Sequence, residues 1–276
     1  MTSLISASAL AEELAGARPP VLLDVRFQPM GGENQQQAYL AGHLPGALFV
    51  DLDAELAATP GAAGRHPLPD TELFGAAMRR AGVSAGSSVV VYDGGLGWGA
   101  ARAWWLLRWA GHTAVRVLDG GLAAWQGPLE SGAVTAEAGD FVPAPGAMPV
   151  LDADAAAKLA RDGLLLDARA AERYRGEVEP IDRVGGHIPG AVSAPTADNV
   201  GPDGLLRPAA ELTARFAELG ATRAERVGTY CGSGVSAAQQ VLALEVAGIE
   251  SALYVGSWSE WSSDTSRPVA IGAERG

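Results

Sequence analysis

The chain has 276 residues, a hydrophobic fraction of 48% and a single cysteine. That length allows one large or two modest domains with sizeable cores. The formal net charge of -12 argues against nucleic acid or an anionic membrane as a partner, and one cysteine excludes an internal disulfide and fits a reducing compartment. Because the start has no basic region followed by an apolar stretch, and no apolar run reaches the length of a membrane span, we expect a cytoplasmic protein.

The first half of the chain alternates short apolar strands with amphipathic helices. Apolar runs predict strands over residues 21–25, 88–92 and 115–118, and apolar residues at helical spacing predict helices over residues 71–81 and 100–110. Such alternation is typical of a parallel sheet with helices on both of its faces.

A stretch rich in proline and small residues follows this first half. It contains only one short β-like piece, residues 140–142, and therefore has the character of a linker. We predict a first domain over residues 1–127, a linker over residues 128–149 and a second domain over residues 150–276.

Five blocks of sequence occur twice, in the same order and at a nearly constant offset. The period is far longer than that of solenoid repeats, so the pattern predicts a duplicated domain. The paired blocks are residues 21–26 with 164–169, 42–47 with 186–191, 89–94 with 227–232, 109–111 with 246–248, and 120–125 with 256–261.

The only cysteine, Cys231, lies in the second half between a predicted strand and a predicted helix. Residues 225–230 are short and partly β-prone, whereas residues 237–247 have apolar side chains at helical spacing and end at Gly248. A tight turn there would place the sulfur at a ring of backbone N–H groups, at the positive end of the helix dipole, where a thiolate is stabilised. Glycines at two of the next three positions favour an active site over a buried structural cysteine.

The repeat places Asp93 in the first half where the second half has Cys231. An aspartate cannot replace a thiolate nucleophile, and its carboxylate repels an anionic substrate. The loop after Asp93 is also one residue longer before its helix. We therefore predict that the first domain is catalytically silent.

Other chemistries of a strand–cysteine–helix loop do not fit. A cysteine phosphatase needs an arginine six residues after the cysteine, where this chain has Ala237. A papain-like protease has a different local signature, and a phosphate-binding P-loop needs a Lys-Ser or Lys-Thr after its glycines. Four scattered histidines and one cysteine form no metal-ligand cluster, so neither a metal nor an organic cofactor is expected.

Residues 231–236 read Cys-Gly-Ser-Gly-Val-Ser and resemble the active-site loop of the rhodanese-type sulfurtransferases. They are most similar to the loop of the 3-mercaptopyruvate sulfurtransferases, which has Thr in place of Ser236. Thiosulfate-preferring members carry basic residues where this chain has Gly232 and Ser233. The resemblance covers essentially the whole chain and implies an α/β fold of two tandem rhodanese-like domains, each a parallel sheet with helices on both faces.

The resemblance also implies roles for individual residues. Cys231 would form a persulfide, and Ser233 would relay a proton, with His43 as the matching first-domain histidine of that relay. Arg173, six residues after Asp167, would bind the donor's anionic group, and Arg183 is the nearest candidate for a second such arginine. The remaining members of the loop would hold the persulfide and the donor: Gly232, Gly234, Val235 and Ser236.

The implied activity is transfer of a sulfane sulfur from a small anionic donor, 3-mercaptopyruvate or thiosulfate, to cyanide or to a thiol such as thioredoxin. A thiosulfate-preferring rhodanese and a non-catalytic persulfide carrier are the alternatives.

Structural roles are predicted for His187, for the tryptophans at 104, 105, 109, 125, 258 and 261, and for the twin pairs Asp24–Arg26 and Asp167–Arg169.

Overall fold

The computed structural model describes residues 2–28 and 34–276, and the chain forms two compact units. The first unit contains residues up to 58, 68–147 and 202–205, and the second contains 59–67, 148–201 and 206–276. The short segment 59–67 thus belongs to the second unit although it lies in the first half of the sequence. Within the described residues, no helix is both long enough and apolar enough to cross a membrane.

The first unit is built on a five-stranded sheet in which all neighbouring strands are parallel. The strand order is β1-β5-β4-β2-β3. The central strands are apolar and buried on both sides, as expected for a parallel sheet covered by helices. The strands are β1 (Leu4–Ile5), β2 (Val21–Asp24), β3 (Leu48–Phe49), β4 (Val89–Tyr92) and β5 (Val115–Leu118).

The second unit repeats this sheet with the same topology. Its order, β6-β10-β9-β7-β8, is the order of the first sheet with each strand replaced by its repeat counterpart, and all neighbours are again parallel. The predicted tandem α/β fold is therefore confirmed. The strands are β6 (Val150–Leu151), β7 (Leu164–Asp167), β8 (Val192–Ser193), β9 (Val227–Tyr230) and β10 (Ala252–Tyr254).

Helices connect the strands in both units. In the first unit they are α1 (Ala7–Leu14), α2 (Gln35–Ala41), α3 (Leu52–Glu55), α4 (Thr71–Arg80), α5 (Trp98–Trp109) and α6 (Gly121–Ala124). In the second they are α7 (Ala153–Asp162), α8 (Ala171–Tyr174), α9 (Ala209–Glu218), α10 (Ser236–Val246) and α11 (Ser257–Trp261), with a 3-10 helix over Thr196–Asn199. Helices α5 and α10 begin two and one residues earlier than predicted, directly after their glycine-containing loops.

The side chains of β7 point alternately to the two faces of the second sheet, and each face is covered by helices. Leu165 packs in one hydrophobic cluster with α7 and α11, whereas Leu164 and Leu166 pack in another with α9 and α10. Successive side chains of a strand point to opposite faces, so one apolar run serves two cores. Each fully buried leucine contributes about 2 kcal/mol of hydrophobic free energy.

The predicted twin ion pairs are confirmed at the ends of β2 and β7. Arg26 Nη2 lies 2.6 Å from Asp24 Oδ2, and Arg169 Nη2 lies 2.6 Å from Asp167 Oδ2. Each arginine also donates to the carbonyl of a glycine in the turn before the next strand, Gly42 in one unit and its counterpart in the other. The pairs therefore tie the strand end to the following turn in both units.

The tryptophans predicted as packing residues are largely buried. Trp104, Trp105 and Trp258 have no exposed surface, and Trp261 is 2% exposed. Trp258 and Trp261 pack in one cluster with residues of α7 and β7, and Trp105 stacks on Trp109, whereas Trp125 is half-buried.

The prediction of a β-like piece at 140–142 is wrong. Phe141 is buried, packs edge-on against Phe74, and donates its backbone N–H to Val83 O. Its backbone thus bonds to the loop after α4 rather than to a strand.

Candidate active site

Cys231 is the first residue after β9, in the loop that leads into α10. It is 2% exposed, and the backbone N–H of Gly234 lies 3.1 Å from its Sγ. A parallel sheet presents the carboxyl ends of its strands and the start of the following helices at one edge, where α/β proteins bind ligands. The sulfur therefore lies at this edge of the second sheet.

Gly234 is required by the shape of this loop. Its φ is +77°, and a Cβ built on it would lie 2.4 Å from Val255 O. Both the backbone conformation and the close approach of the next strand end exclude a side chain. The close packing turns the N–H of Gly234 toward the sulfur.

The start of α11 holds the outer side of the loop. Trp258 N–H donates to Cys231 O at 3.0 Å, and Ser259 N–H donates to Gly232 O at 2.9 Å. The Ser257 hydroxyl accepts the N–H of Cys231 at 3.1 Å and donates to Tyr254 O. Among the described residues other than glycine, Ser257 is the one with positive φ, +55°, so backbone strain is tolerated where it fixes the cysteine.

The segment 59–67 packs against the same turn. Arg65 N–H donates to Ser259 Oγ at 3.0 Å, and a Cβ on Gly64 would lie 2.7 Å from Gly256 O. This glycine, with φ +102°, lets the segment approach α11 closely. The packing brings the side chains of Arg65 and His66 to the Cys231 loop.

His66 is the histidine that contacts the predicted active-site serine. Its Nδ1 lies 2.7 Å from Ser233 Oγ, and both residues are 8% exposed. The sequence prediction missed His66 because it precedes Ser233 by 167 residues and lies outside every repeated block. The available signal was a Gly-Arg-His stretch between two helices, with no counterpart in the second half.

His43, the histidine predicted for the relay, lies in the first unit. It has no exposed surface, its Nδ1 is 2.8 Å from Tyr39 O, and its ring stacks on Tyr39. His187 makes the same contacts with Tyr174 O and the Tyr174 ring. His43 therefore shares the contacts of a residue predicted to be structural, and these contacts give no support to its predicted relay role.

Two guanidinium groups lie beside Gly232. A Cβ built on Gly232 would be 3.2 Å from Arg65 Nη2 and 3.7 Å from Arg173 Nη1. Asp182 bridges the two arginines, with Oδ1 2.6 Å from Arg65 Nη1 and Oδ2 3.1 Å from Arg173 Nη2. The loop thus has two cations along one side, and the predicted Arg173 is one of them.

Glu179 holds Arg173 from the other side. Its carboxylate accepts from Arg173 Nη2 at 2.6 Å and from Nε at 3.2 Å. Burial raises the pKa of Glu179, but the hydrogen bonds from Arg173 and from the backbone N–H groups of Asp182 and Ile181 outweigh burial and hold that pKa below its usual range. Glu179 is therefore ionised at neutral pH.

Arg183, the second predicted arginine, is exposed. Although Arg183 follows Asp182 directly in the chain, the two arginines that Asp182 binds are Arg65 and Arg173.

Val235 is buried and Ser236 is the first residue of α10. Arg65, Asp182 and Glu179 were not singled out by the sequence.

The matching loop of the first unit shows what this architecture does with an anion. The Asp93 carboxylate accepts four backbone N–H bonds, at 2.8–3.4 Å, from Gly95, Gly97, Gly99 and Ala100. Burial raises the pKa of Asp93, and the four donors oppose that rise. The N–H groups of the first unit's loop are thus bound by the loop's own side chain.

Comparison with known proteins agrees with this geometry. The sequence pattern of the rhodanese-like domain matches the chain twice, over residues 6–128 and 152–264. A Mycobacterium tuberculosis protein provisionally named thiosulfate sulfurtransferase SseB is 45% identical over 278 residues, covering 98% of this chain and 97% of its own. A Pseudomonas aeruginosa protein provisionally named 3-mercaptopyruvate sulfurtransferase is 46% identical over 280 residues, covering 98% of each chain.

A solved structure has the same fold along almost the whole chain. The crystal structure of SseA from Escherichia coli, one of the 3-mercaptopyruvate sulfotransferases, is matched with a TM-score of 0.82 at 36% identity. The match covers 94% of this chain and 100% of SseA.

Proposed function

Because the chain belongs to the rhodanese-like family and is a sulfurtransferase, we propose that Cys231 carries the transferred sulfur and that 3-mercaptopyruvate is the preferred donor. The observation that carries the donor assignment is the hydrogen bond between His66 Nδ1 and Ser233 Oγ, 2.7 Å long, two residues after the cysteine. It provides a proton path that only one of the two candidate donors needs.

The first step is attack of the Cys231 thiolate on the sulfane sulfur of the donor. The new S–S bond forms as the C–S bond of 3-mercaptopyruvate breaks, and the electron pair stays on carbon as the enolate of pyruvate. The N–H of Gly234, 3.1 Å from Sγ, stabilises negative charge on sulfur, as donors at a helix start do for reactive cysteines. Four N–H groups around Asp93 in the sister loop support this anion-binding role.

The donor carboxylate binds over Gly232. Arg65 Nη2 and Arg173 Nη1 both lie near the place where a side chain at Gly232 would stand, and a glycine there leaves room for a ligand. A carboxylate with one oxygen toward each guanidinium forms two charge-assisted hydrogen bonds. We assign the second binding arginine to Arg65; Arg183, which is exposed, remains a secondary candidate.

The enolate leaving group must gain a proton to become pyruvate. The Ser233 hydroxyl donates this proton to the enolate, and His66 in turn donates a proton to Ser233. His66 thus acts as a general acid through the serine. Thiosulfate releases sulfite, which requires no such proton. The Ser233–His66 pair therefore favours 3-mercaptopyruvate over thiosulfate, and His66 replaces His43 in this proposal.

The second step returns the cysteine to its starting state. A thiophilic acceptor attacks the outer sulfur of the persulfide, taking that sulfur and leaving the Cys231 thiolate. In the assay the acceptor is cyanide, and in the cell we propose a thiol, with thioredoxin as one candidate. Both the thiol acceptor and the single cysteine suit the cytoplasm, which keeps thiols reduced.

Turnover with each donor tests this proposal. Purified protein is given 3-mercaptopyruvate or thiosulfate with cyanide, and thiocyanate is measured beside the variant Cys231→Ser. We expect a higher kcat/KM for 3-mercaptopyruvate and no thiocyanate from Cys231→Ser. A single stoichiometric release of sulfur without turnover would indicate a persulfide carrier, and a higher kcat/KM for thiosulfate would contradict the donor assignment.

A further inference from the structure

Asp182 lies at the centre of the charged groups beside the Cys231 loop, and the sulfur-transfer chemistry gives it no role. Its side chain is 4% exposed and bridges Arg65 and Arg173 with one oxygen each. Resting on the proposed function, we propose that Asp182 is a specificity-determining residue that makes the donor site select monoanions, such as an α-keto carboxylate, over dianions such as thiosulfate.

The first step of the argument is the charge balance. Three guanidinium groups, those of Arg65, Arg169 and Arg173, are linked by ion pairs to three carboxylates. The carboxylates are those of Asp167, Glu179 and Asp182. This cluster is therefore neutral as a whole, although two of its cations face the loop. The remaining attraction for an anion is short-ranged and comes from individual N–H groups, since the net field of the cluster is small.

The second step is geometry. Asp182 binds Nη1 of Arg65 and Nη2 of Arg173. The nitrogen nearest the side-chain position of Gly232 is Arg65 Nη2, which Asp182 does not bind, at 3.2 Å, and the two terminal nitrogens of Arg173 follow at 3.7 Å (Nη1) and 3.8 Å (Nη2). The bridge therefore leaves the Nη2 edge of Arg65 facing the loop, with the end of the Arg173 guanidinium beside it. Two N–H edges suit the two oxygens of one carboxylate and neutralise one negative charge.

The third step concerns the second charge of a dianion. A carboxylate neighbour such as Asp182, held within hydrogen-bond distance of both arginines, repels each charge that arrives on the same guanidinium groups. That repulsion is about twice as large for a dianion as for a monoanion because Coulomb energy scales with charge. The chain's net charge of -12 adds to the same preference.

Asp182→Asn tests the inference because it keeps the shape and removes one negative charge. We expect kcat/KM for thiosulfate to rise by about fivefold or more relative to that for 3-mercaptopyruvate, the effect of one unit charge near a solvated site. This change in relative kcat/KM should become smaller as salt is added, since salt screens the interaction between the donor and the charge at position 182. Asp182→Glu, which restores the charge, should return the ratio toward that of the unchanged protein.

Glu177→Gln is the matched control. Glu177 pairs with Arg175 in an exposed ion pair, so this variant changes the net charge equally but lies outside the cluster. Its ratio of kcat/KM for thiosulfate to kcat/KM for 3-mercaptopyruvate should equal that of the unchanged protein. An equal shift in Glu177→Gln would assign the effect to overall charge and overturn the role of Asp182.

A binding measurement covers the case in which Asp182→Asn unfolds. Calorimetric titration of the unchanged protein with pyruvate and with sulfate should show pyruvate binding at least as tightly, and tighter sulfate binding would overturn the inference. An unaltered donor ratio in folded Asp182→Asn would overturn it too. In either case turnover by the unchanged protein would leave the proposed sulfur transfer intact, whereas absence of turnover with both donors would contradict that function itself.

Discussion

At the scale of single residues, the chain divides into groups that the sequence identifies and groups that only folding brings together. Cys231 is predicted from its loop, and Arg173 from the resemblance of the segment after Asp167 to the family's arginine-bearing segment. Arg65 and His66 are not, because nothing in a sequence shows that a segment of the first half packs against α11 of the second unit. The contacts of Gly64 and Arg65 with that helix provide the link.

His66→Asn separates proton transfer from structure. An asparagine keeps a hydrogen-bonding group near the position of Nδ1 but cannot exchange a proton. We expect kcat with 3-mercaptopyruvate to fall by about 100-fold, the usual contribution of a general acid, with a much smaller effect on thiosulfate. Thiocyanate formation from the two donors measures the difference.

His43→Asn is the control for that experiment. Because His43 is buried against Tyr39, its replacement should lower the melting temperature and leave the donor ratio unchanged. A selective loss with 3-mercaptopyruvate in His43→Asn, and none in His66→Asn, would return the relay to His43.

At the scale of elements, the predictions for β2, β4, β5 and β9 and for the helices α4, α5 and α10 lie close to the observed bounds. The sequence prediction misses β1, β3, β6 and β8, each of two residues, because so short a strand has no measurable period. It also places the start of α5 and α10 late, since the glycines before them obscure where helical backbone begins. These edge strands exist because neighbouring strands supply their hydrogen bonds.

Gly234→Ala tests the loop geometry. Gly234 and Gly248 have nearly the same φ, +77° and +76°, but a Cβ on Gly234 would lie 2.4 Å from Val255 O whereas one on Gly248 meets nothing within 4 Å. Gly248→Ala should therefore cost about 1 kcal/mol of unfolding free energy, from conformation alone. Gly234→Ala should cost more and abolish sulfur transfer, because the N–H that faces Sγ must move.

Urea unfolding and thiocyanate formation are measured on both variants. Equal stability losses together with full activity of Gly234→Ala would show that the close contact with Val255 does not fix the cysteine loop.

At the scale of the whole molecule, the repeat is the feature that the sequence revealed most fully. Two sheets with the same strand order and two buried Asp–Arg pairs follow from duplicated blocks. Each of the two stacked His–Tyr pairs combines a histidine of a repeated block with a tyrosine outside it. The two matching loops also differ as the repeat indicates, because Asp93 places a carboxylate in one and Cys231 places a sulfur in the other. What the repeat could not predict is the assignment of residues 59–67 to the second unit.

Asp24→Asn and Asp167→Asn test the structural equivalence of the units. Each removes the nearest charged partner of a buried arginine. The loss should cost about 3 kcal/mol or more at Arg26, and less at Arg169, whose Nη1 keeps Glu179 Oε2 at 3.4 Å. Both variants should lower the melting temperature, although only one lies in the unit that carries Cys231. Asp162→Asn, which removes an exposed partner of Lys158, should leave the melting temperature unchanged, and a drop in Asp167→Asn alone would mean that the twin pairs are not equivalent.

The central claim is that sulfur resides on Cys231 between the two steps. The most direct measurement is mass spectrometry of the protein after incubation with 3-mercaptopyruvate and no acceptor. We predict that the peptide containing Cys231 gains the mass of one sulfur atom, loses it when cyanide is added, and gains nothing in Cys231→Ser. Sulfur gain that persists in Cys231→Ser, or thiocyanate formation without any gain on that peptide, would contradict the account.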